Sequence, residues 1–188
     1  MIFTELLTAR RSVRNYREEQ VEPDIIKEMI KESTLAPSSG NEQPWKFIIV
    51  SDKDMLKKMS DESKKNILAR MAANPGDYAN KYKRMLENEN FNVFYNAPSL
   101  VLVIGPANLK NVLVNCALAA SYFMFAAASR NLGTCWVNLG MDIQDPEMIK
   151  KLGIPEGFRI VAPIIVGYPV KIQSAPARNE PEIIKIIE

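Results

Sequence analysis

Histidine is absent from this chain, and that gap removes several catalytic classes at once. Ser-His-Asp and Cys-His nucleophilic catalysis, histidine-held metal centres and imidazole acid–base chemistry all need a side chain that is not present. Cysteine is nearly as scarce. Cys116 and Cys135 stand far apart in apolar surroundings, which argues against a disulfide framework, a CxxC redox motif or a cysteine-held iron–sulfur cluster. Both read as buried thiols. No excess of one charge exists either: 24 Lys+Arg against 22 Asp+Glu gives a net charge of +2, with the signs interspersed, so no nucleic-acid-binding arm or acidic tail is expected. Neither GxxxxGK[ST] nor GxGxxG occurs, which leaves no P-loop and no dinucleotide-binding fingerprint. The N-terminal MIFTELLTARR has too short an apolar run and no small-residue cleavage site for a signal peptide, so a cytoplasmic protein is expected.

What remains is a chain of 188 residues without repeats, low-complexity tracts or a shift in composition, read as a single domain over 1–188. A body of this size buries roughly 70% of its unfolded surface. Ile2, Phe3, Leu6 and Leu7 share one helical face, predicting a short helix over 2–9 that delivers RRSVR into a turn. Glu22-Pro23-Asp24 starts a second helix, with Ile25, Ile26, Met29 and Ile30 apolar, ending before Pro37. Lys46–Val50 reads as a buried strand, and Ser51-Asp52 opens a long amphipathic helix that Asn74-Pro75-Gly76 ends. Residues 77–96 carry Tyr78, Tyr82, Phe91, Phe94 and Tyr95 among charges and amides and read either as a lid or as a helical excursion. Ser99–Gly105 is a second buried strand. Residues 111–129 hold no charge and are long enough to raise a membrane span. Their alanine content and the interruptions at Asn115, Ser121 and Ser129 favour a central buried helix instead, closed by Gly133. Residues 134–138 and 159–166 complete four strands, residues 145–152 a short helix, and the chain from Val170 reads as an extended arm. Uneven alternation of helices and strands indicates an α+β sheet covered by helices.

Two stretches carry polar chemistry. Arg10, Arg11, Ser12 and Arg14 place three guanidinium groups and a hydroxyl within five residues, a set suited to phosphate oxygens. The loop APSSGNEQPW is bracketed by Pro37 and Pro44 and offers backbone N–H groups and amides on a defined turn.

RRSVR near the N-terminus, PSSGNEQPW some twenty-five residues later, the alanine-rich helix running into LGTCWVNLG, and IVGYP near the end together resemble the FMN-dependent nitroreductase family, in the same order and over nearly the whole chain. The resemblance implies a three-layer α-β-α sandwich with a mostly antiparallel central sheet, an intertwined homodimer with exchanged C-terminal arms, and an FMN at each of two interface sites. It implies that Arg10 and Ser12 serve the FMN phosphate and ribityl side with Arg11 close by, and that Arg14 lies near flavin N1 and O2. Ser38, Ser39, Asn41 and Gln43 match the loop that reaches FMN from the partner. Val137, Asn138, Leu139 and Gly140 match the segment that passes the flavin edge, where a backbone N–H bonds N5, and Arg178 matches a basic residue that closes on the phosphate. The implied activity is ping-pong oxidation of NADH or NADPH and reduction of a nitroaromatic, quinone or similar small acceptor, with flavin N5 rather than a side chain carrying the chemistry. Neither a nucleic-acid nor a membrane partner is implied. Asn115, Ser121 and Leu139 depart from acidic or amide residues found in some relatives; for Asn115 and Ser121 helix packing is the simpler account. Alternatives are a dehalogenating or flavin-fragmenting branch of the same fold, a flavin-binding storage or sensor module, and a phosphate-binding interaction domain that would be colourless.

Overall fold

Side chains of the strand Ser99–Pro106 (β2) alternate between two apolar layers, with Leu100, Leu102 and Ile104 on one face and Val101 and Val103 on the other. A strand buried on both faces must be covered twice, and this one is. The computed structural model describes residues 2–188. Its four-stranded sheet has the order β1-β2-β4-β3, where β1 is Lys46–Val50, β3 is Gly133–Trp136 and β4 is Phe158–Gly167, and every pair is antiparallel. The expected α+β sandwich with an antiparallel sheet is therefore present.

On one face lies Lys53–Ala73 (α3), with Lys83–Leu86 (α4) and Pro146–Leu152 (α6). On the other lie Pro23–Ser33 (α2) and Val112–Ser129 (α5). Local chemistry explains their bounds. Pro23 at the first position and Asp24 in the first turn start α2, which buries Ile26, Met29 and Ser33 at helical spacing. The Asp52 carboxylate accepts the Met55 N–H at 2.6 Å and starts α3, and Asp145 does the same for α6.

Three expectations need correction. Lys46–Val50 is a strand, but only Val50 is buried, because β1 is the edge of the sheet and one side of it has no neighbour. RRSVR does not turn. It runs extended along the open edge of β3, where the Val13 N–H donates to the Thr134 carbonyl at 2.9 Å and Ser12 bridges Thr134. Gly133 does not close α5 either; Asn131 takes the left-handed conformation (φ 57°), and Gly133 begins β3, where a Cβ would meet Val13 side-chain atoms at 2.8–2.9 Å.

By length and composition α5 is apolar enough to cross a membrane. Within this fold Cys116, Ala119, Ala120, Phe123 and Ala127 are buried against the sheet and α2, while Leu113, Val114, Leu118 and Tyr122 face outward. Phe3–Ala9 (α1) buries none of its own residues and leans on α5 through Phe3 and Phe125, 6.4 Å apart.

Candidate functional site

The extended stretch 12–17 is held at both ends. Beyond Val13, the Arg17 N–H donates to the Tyr168 carbonyl and the Val170 N–H to the Asn15 carbonyl, and Tyr16 bridges Pro169. Alternation then sends Val13 inward, 4% exposed, and leaves Ser12 and Arg14 on the outside. The Tyr16 hydroxyl donates to the Val13 carbonyl at 2.7 Å, and burial raises its pKa well above the ordinary phenol value, so it stays protonated.

Arg14 opens onto a cleft of about 460 Å³ lined by Tyr78, Lys81, Tyr82, Met85 and Tyr95 on one side and by Cys135 to Leu139 on the other. Its guanidinium lies 5.7 Å from the Tyr95 ring centroid. Tyr95 and the next residue, Asn96, both have left-handed backbone, φ 55° and 51°. Burial pushes the Cys135 thiol up, against the smaller opposing pull of Arg14, which keeps it neutral and unreactive at the cleft wall.

After β3 the chain makes a short 3₁₀ turn, Asn138–Gly140. The Val137 N–H is taken by the Pro163 carbonyl at 2.8 Å and the Gly140 N–H by the Val137 carbonyl at 2.9 Å. Those of Asn138 and Leu139, at the open start of the turn, donate to no other described residue. Gly140 is pressed against Phe94, whose Cε1 would lie 2.3 Å from an added Cβ. The Ser63 hydroxyl donates to the Leu139 carbonyl, and Asn66 and Ser63 bond the backbone of Asp142. Thus α3 fixes this turn from below.

The same helix fixes the opposite wall. The buried Lys64 ammonium donates to the carbonyls of Asn88 and Phe91 at 2.9 Å and, more weakly, to that of Glu89. Ser60 accepts the Val93 N–H, and Arg70 binds both Asp77 and Asp142. The guanidinium of Arg70, followed by the Ala79 N–H, holds the Asp77 carboxyl below the ordinary range, and in return Asp77 chiefly raises Arg70. Residues 77–96 form a 3₁₀ turn, Tyr78–Tyr82, then α4 and an irregular return. Of the aromatics in 77–96, Tyr78, Tyr82 and Tyr95 line the cleft. Phe94 is fully buried in the core and Phe91 packs edge-on against Tyr95.

Apart from Ser12, which is exposed where it bridges Thr134, the sequence-predicted residues fall into four groups. Arg14, Val137, Asn138 and Leu139 line the cleft, with Gly140 directly behind them. Arg10 and Arg11 border a small crevice with Thr134 and Ile172. Arg11 donates to the Arg10 carbonyl, and its buried Nε has no partner. Ser38, Ser39, Asn41 and Gln43 stand elsewhere, on a turn tied to α5: Asn115 accepts the Ser39 N–H at 3.1 Å and Ser38 accepts the Gln43 N–H. None of these four lines the cleft within one chain. Arg178 is exposed on the arm. Sequence reasoning missed Ser63, Lys64 and Arg70, whose spacing along α3 carries no local signature of binding. It also missed Lys81 and Trp136, whose buried Nε1 has no partner.

This donor set suits the cofactor that the sequence resemblance implies. Guanidinium groups, free N–H groups and orphaned buried donors at Arg11 and Trp136 all seek acceptors, as the phosphate and ring carbonyls of FMN supply, and the aromatic cleft has room for a planar ring.

Comparison with known proteins points the same way. A family model described as the nitroreductase family matches residues 7–168. The chain is 29% identical over 170 residues to an Archaeoglobus fulgidus protein provisionally named NADH dehydrogenase/NAD(P)H nitroreductase, covering 87% of this chain and 83% of that one. It is 29% identical over 188 residues to pig (Sus scrofa) iodotyrosine deiodinase 1, covering 93% of this chain but 63% of the deiodinase. The crystal structure of a Bacteroides fragilis nitroreductase with bound FMN superposes with a TM-score of 0.81 at 25% identity, covering 98% of both chains.

Proposed function

The chain belongs to the nitroreductase family, and on that premise we propose that it is an FMN-dependent oxidoreductase that takes electrons from NADH or NADPH and reduces a small acceptor such as a nitroaromatic or a quinone. The observation that carries this reading is the cleft wall itself: the Arg14 guanidinium shares the cleft with a turn whose Asn138 and Leu139 N–H groups are unclaimed by any other described residue. FMN, when bound, supplies a centre that accepts a hydride and passes it on, so donor and acceptor can use one site in turn.

The chain's own residues bind, orient and shield. Arg10, Arg11 and Ser12 would hold the phosphate end through charge-assisted bonds. Arg14 would place a permanent positive charge where the ring gains electrons, a preorganised electrostatic contribution. The N–H groups of Asn138 and Leu139 would orient the ring edge. Tyr78 and Tyr82 would limit the water that reaches the bound substrates. A second copy would contribute Ser38, Ser39, Asn41, Gln43 and Arg178, which is why these stand apart from the cleft in one chain. The outward apolar residues Leu113, Val114, Leu118 and Tyr122 of α5 support such a homodimer.

The test is an absorption spectrum of the purified protein before and after anaerobic addition of NADH or NADPH. A yellow protein bleached by either nicotinamide supports the proposal; a colourless protein that takes up no FMN ends it. Arg10→Ala with Arg14→Ala should weaken FMN retention at least roughly 100-fold, since each charged contact contributes about 1.5–3 kcal/mol. Parallel double-reciprocal plots would support alternation of donor and acceptor. The likeness to a deiodinase favours one second reading, reductive dehalogenation at the same site, which product analysis with a halogenated phenol separates.

A further inference from the structure

The outer wall of the cleft carries a cation that the proposed FMN contacts leave unused. Lys81, on the 3₁₀ turn Tyr78–Tyr82, lines the cleft with Tyr78, Tyr82, Tyr95 and Arg14. Its Nζ lies 5.0 Å from the Tyr82 ring centroid, and it forms no ion pair among the described residues. Among the described residues no carboxylate lines the cleft. The acids that flank its two walls, Asp77 and Asp142, both bind Arg70, so neither is free to neutralise Lys81. The cleft therefore holds two positive side chains and no negative one. Arg14 would serve the ring where it gains negative charge. Lys81 has no such counterpart, and flat phenol faces flank it.

We infer that the acceptor is a planar aromatic bearing an acidic group, a carboxylate or a sulfonate, with its ring against Tyr78 and Tyr82 and its anion paired with the Lys81 ammonium. This rests on the FMN-dependent function proposed above and names its acceptor class. Lys81 acts by binding: no carboxylate in the cleft lining competes for its charge, and the adjacent Tyr82 face helps hold the ammonium in place. A neutral acceptor of the same shape forfeits the pair, and a cationic one is repelled.

The experiment uses the FMN-loaded protein, comparing 4-nitrobenzoate with 4-nitrobenzamide as acceptors and benzoate with benzamide in spectral titrations of the oxidised flavoprotein. The acid should be preferred about tenfold in kcat/KM, the equivalent of about 1.4 kcal/mol, through KM rather than kcat, and added salt should shrink the preference. Benzoate should perturb the flavin spectrum at lower concentration than benzamide. Lys81→Met should erase both preferences, Lys81→Glu reverse them and Lys81→Arg keep them, all with unchanged flavin content. Equal use of acid and amide by the wild type overturns the inference, as does a preference that survives in Lys81→Met. So does a Lys81→Met variant whose only defect is a raised KM for NADPH, which would give the ammonium to the donor. In each of those cases the flavoprotein still turns over and the proposed function stands. A protein that binds no flavin, or whose flavin neither nicotinamide bleaches, overturns both.

Discussion

Residues 77–96 and residues 170–188 both lack a periodic apolar pattern, the first lining the cleft beside Arg14 and the second reaching the crevice of Arg10 and Arg11 through Ile172, yet the folded chain treats them differently. The first stretch is tied down by Ser60, Lys64 and Arg70 of α3, and it sends Phe94 into the core. The second has no helix or strand beyond the Tyr16–Pro169 bridge and is exposed throughout, including Ile183, Ile184, Ile186 and Ile187. Irregular backbone can be ordered by polar anchors from its own chain. Where those are missing, as in the arm, five isoleucines, Ile172 and the four named above, stay exposed.

The contrast breaks most decisively at the arm. Removing residues 171–188 is expected to leave the circular dichroism of the fold unchanged while lowering self-association and weakening FMN retention at least roughly tenfold, read by sedimentation velocity and flavin release. Unaltered sedimentation and flavin content would show that the arm needs no covering. Next in size, Lys64→Met strands the carbonyls of Asn88 and Phe91 and should cost roughly 2–4 kcal/mol in urea unfolding, with faster amide exchange in 77–96. Gly140→Ala forces a methyl into the Phe94 ring and should cost roughly 1–3 kcal/mol while loosening the same stretch; a neutral effect would mean that the cleft floor and wall are not packed as a unit. The mildest test is acid. Because the Asp77 carboxyl is held below its ordinary range, its contribution is complete above the ordinary value, about 3.9, and is lost as the pH falls through the depressed one. Amide exchange corrected for its intrinsic pH dependence should therefore rise in 77–96 before it rises in β2 and β4, and Asp77→Asn should remove that step.

Much of the frame was legible from punctuation. Asp52, Pro23 and Asp145 announced their helices because capping is local chemistry, and β2 announced itself by an unbroken apolar run. Of the arginine cluster, Arg14 shares one cleft with Val137 to Leu139 of the segment that the family resemblance singled out, while Arg10 and Arg11 border a separate crevice. What stayed hidden depends on partners distant in sequence. Lys64 is one of two adjacent lysines and looks like solvent-facing charge until its three carbonyl acceptors, 24 to 27 residues onward, are in view. RRSVR looked like a turn because nothing local reveals that β3 has an open edge. Gly133 drew attention as a helix end because glycine favours such places, whereas its real constraint is the close approach of Val13.

The pairing of β2 with β4 shifts register between Val103 and Ile104, and the shift reaches further than its size suggests. Val161 is the extra residue there, so Ile160 faces the α3 layer while Ala162, Ile164 and Val166 face the α5 layer. Deleting that one residue would not merely leave a gap. It would invert the sidedness of half the strand or slide its end by one step, carrying Tyr168 and Pro169 out of line with Tyr16 and Arg17. The alignment of Arg14 is thus set by a count of residues in the middle of the sheet.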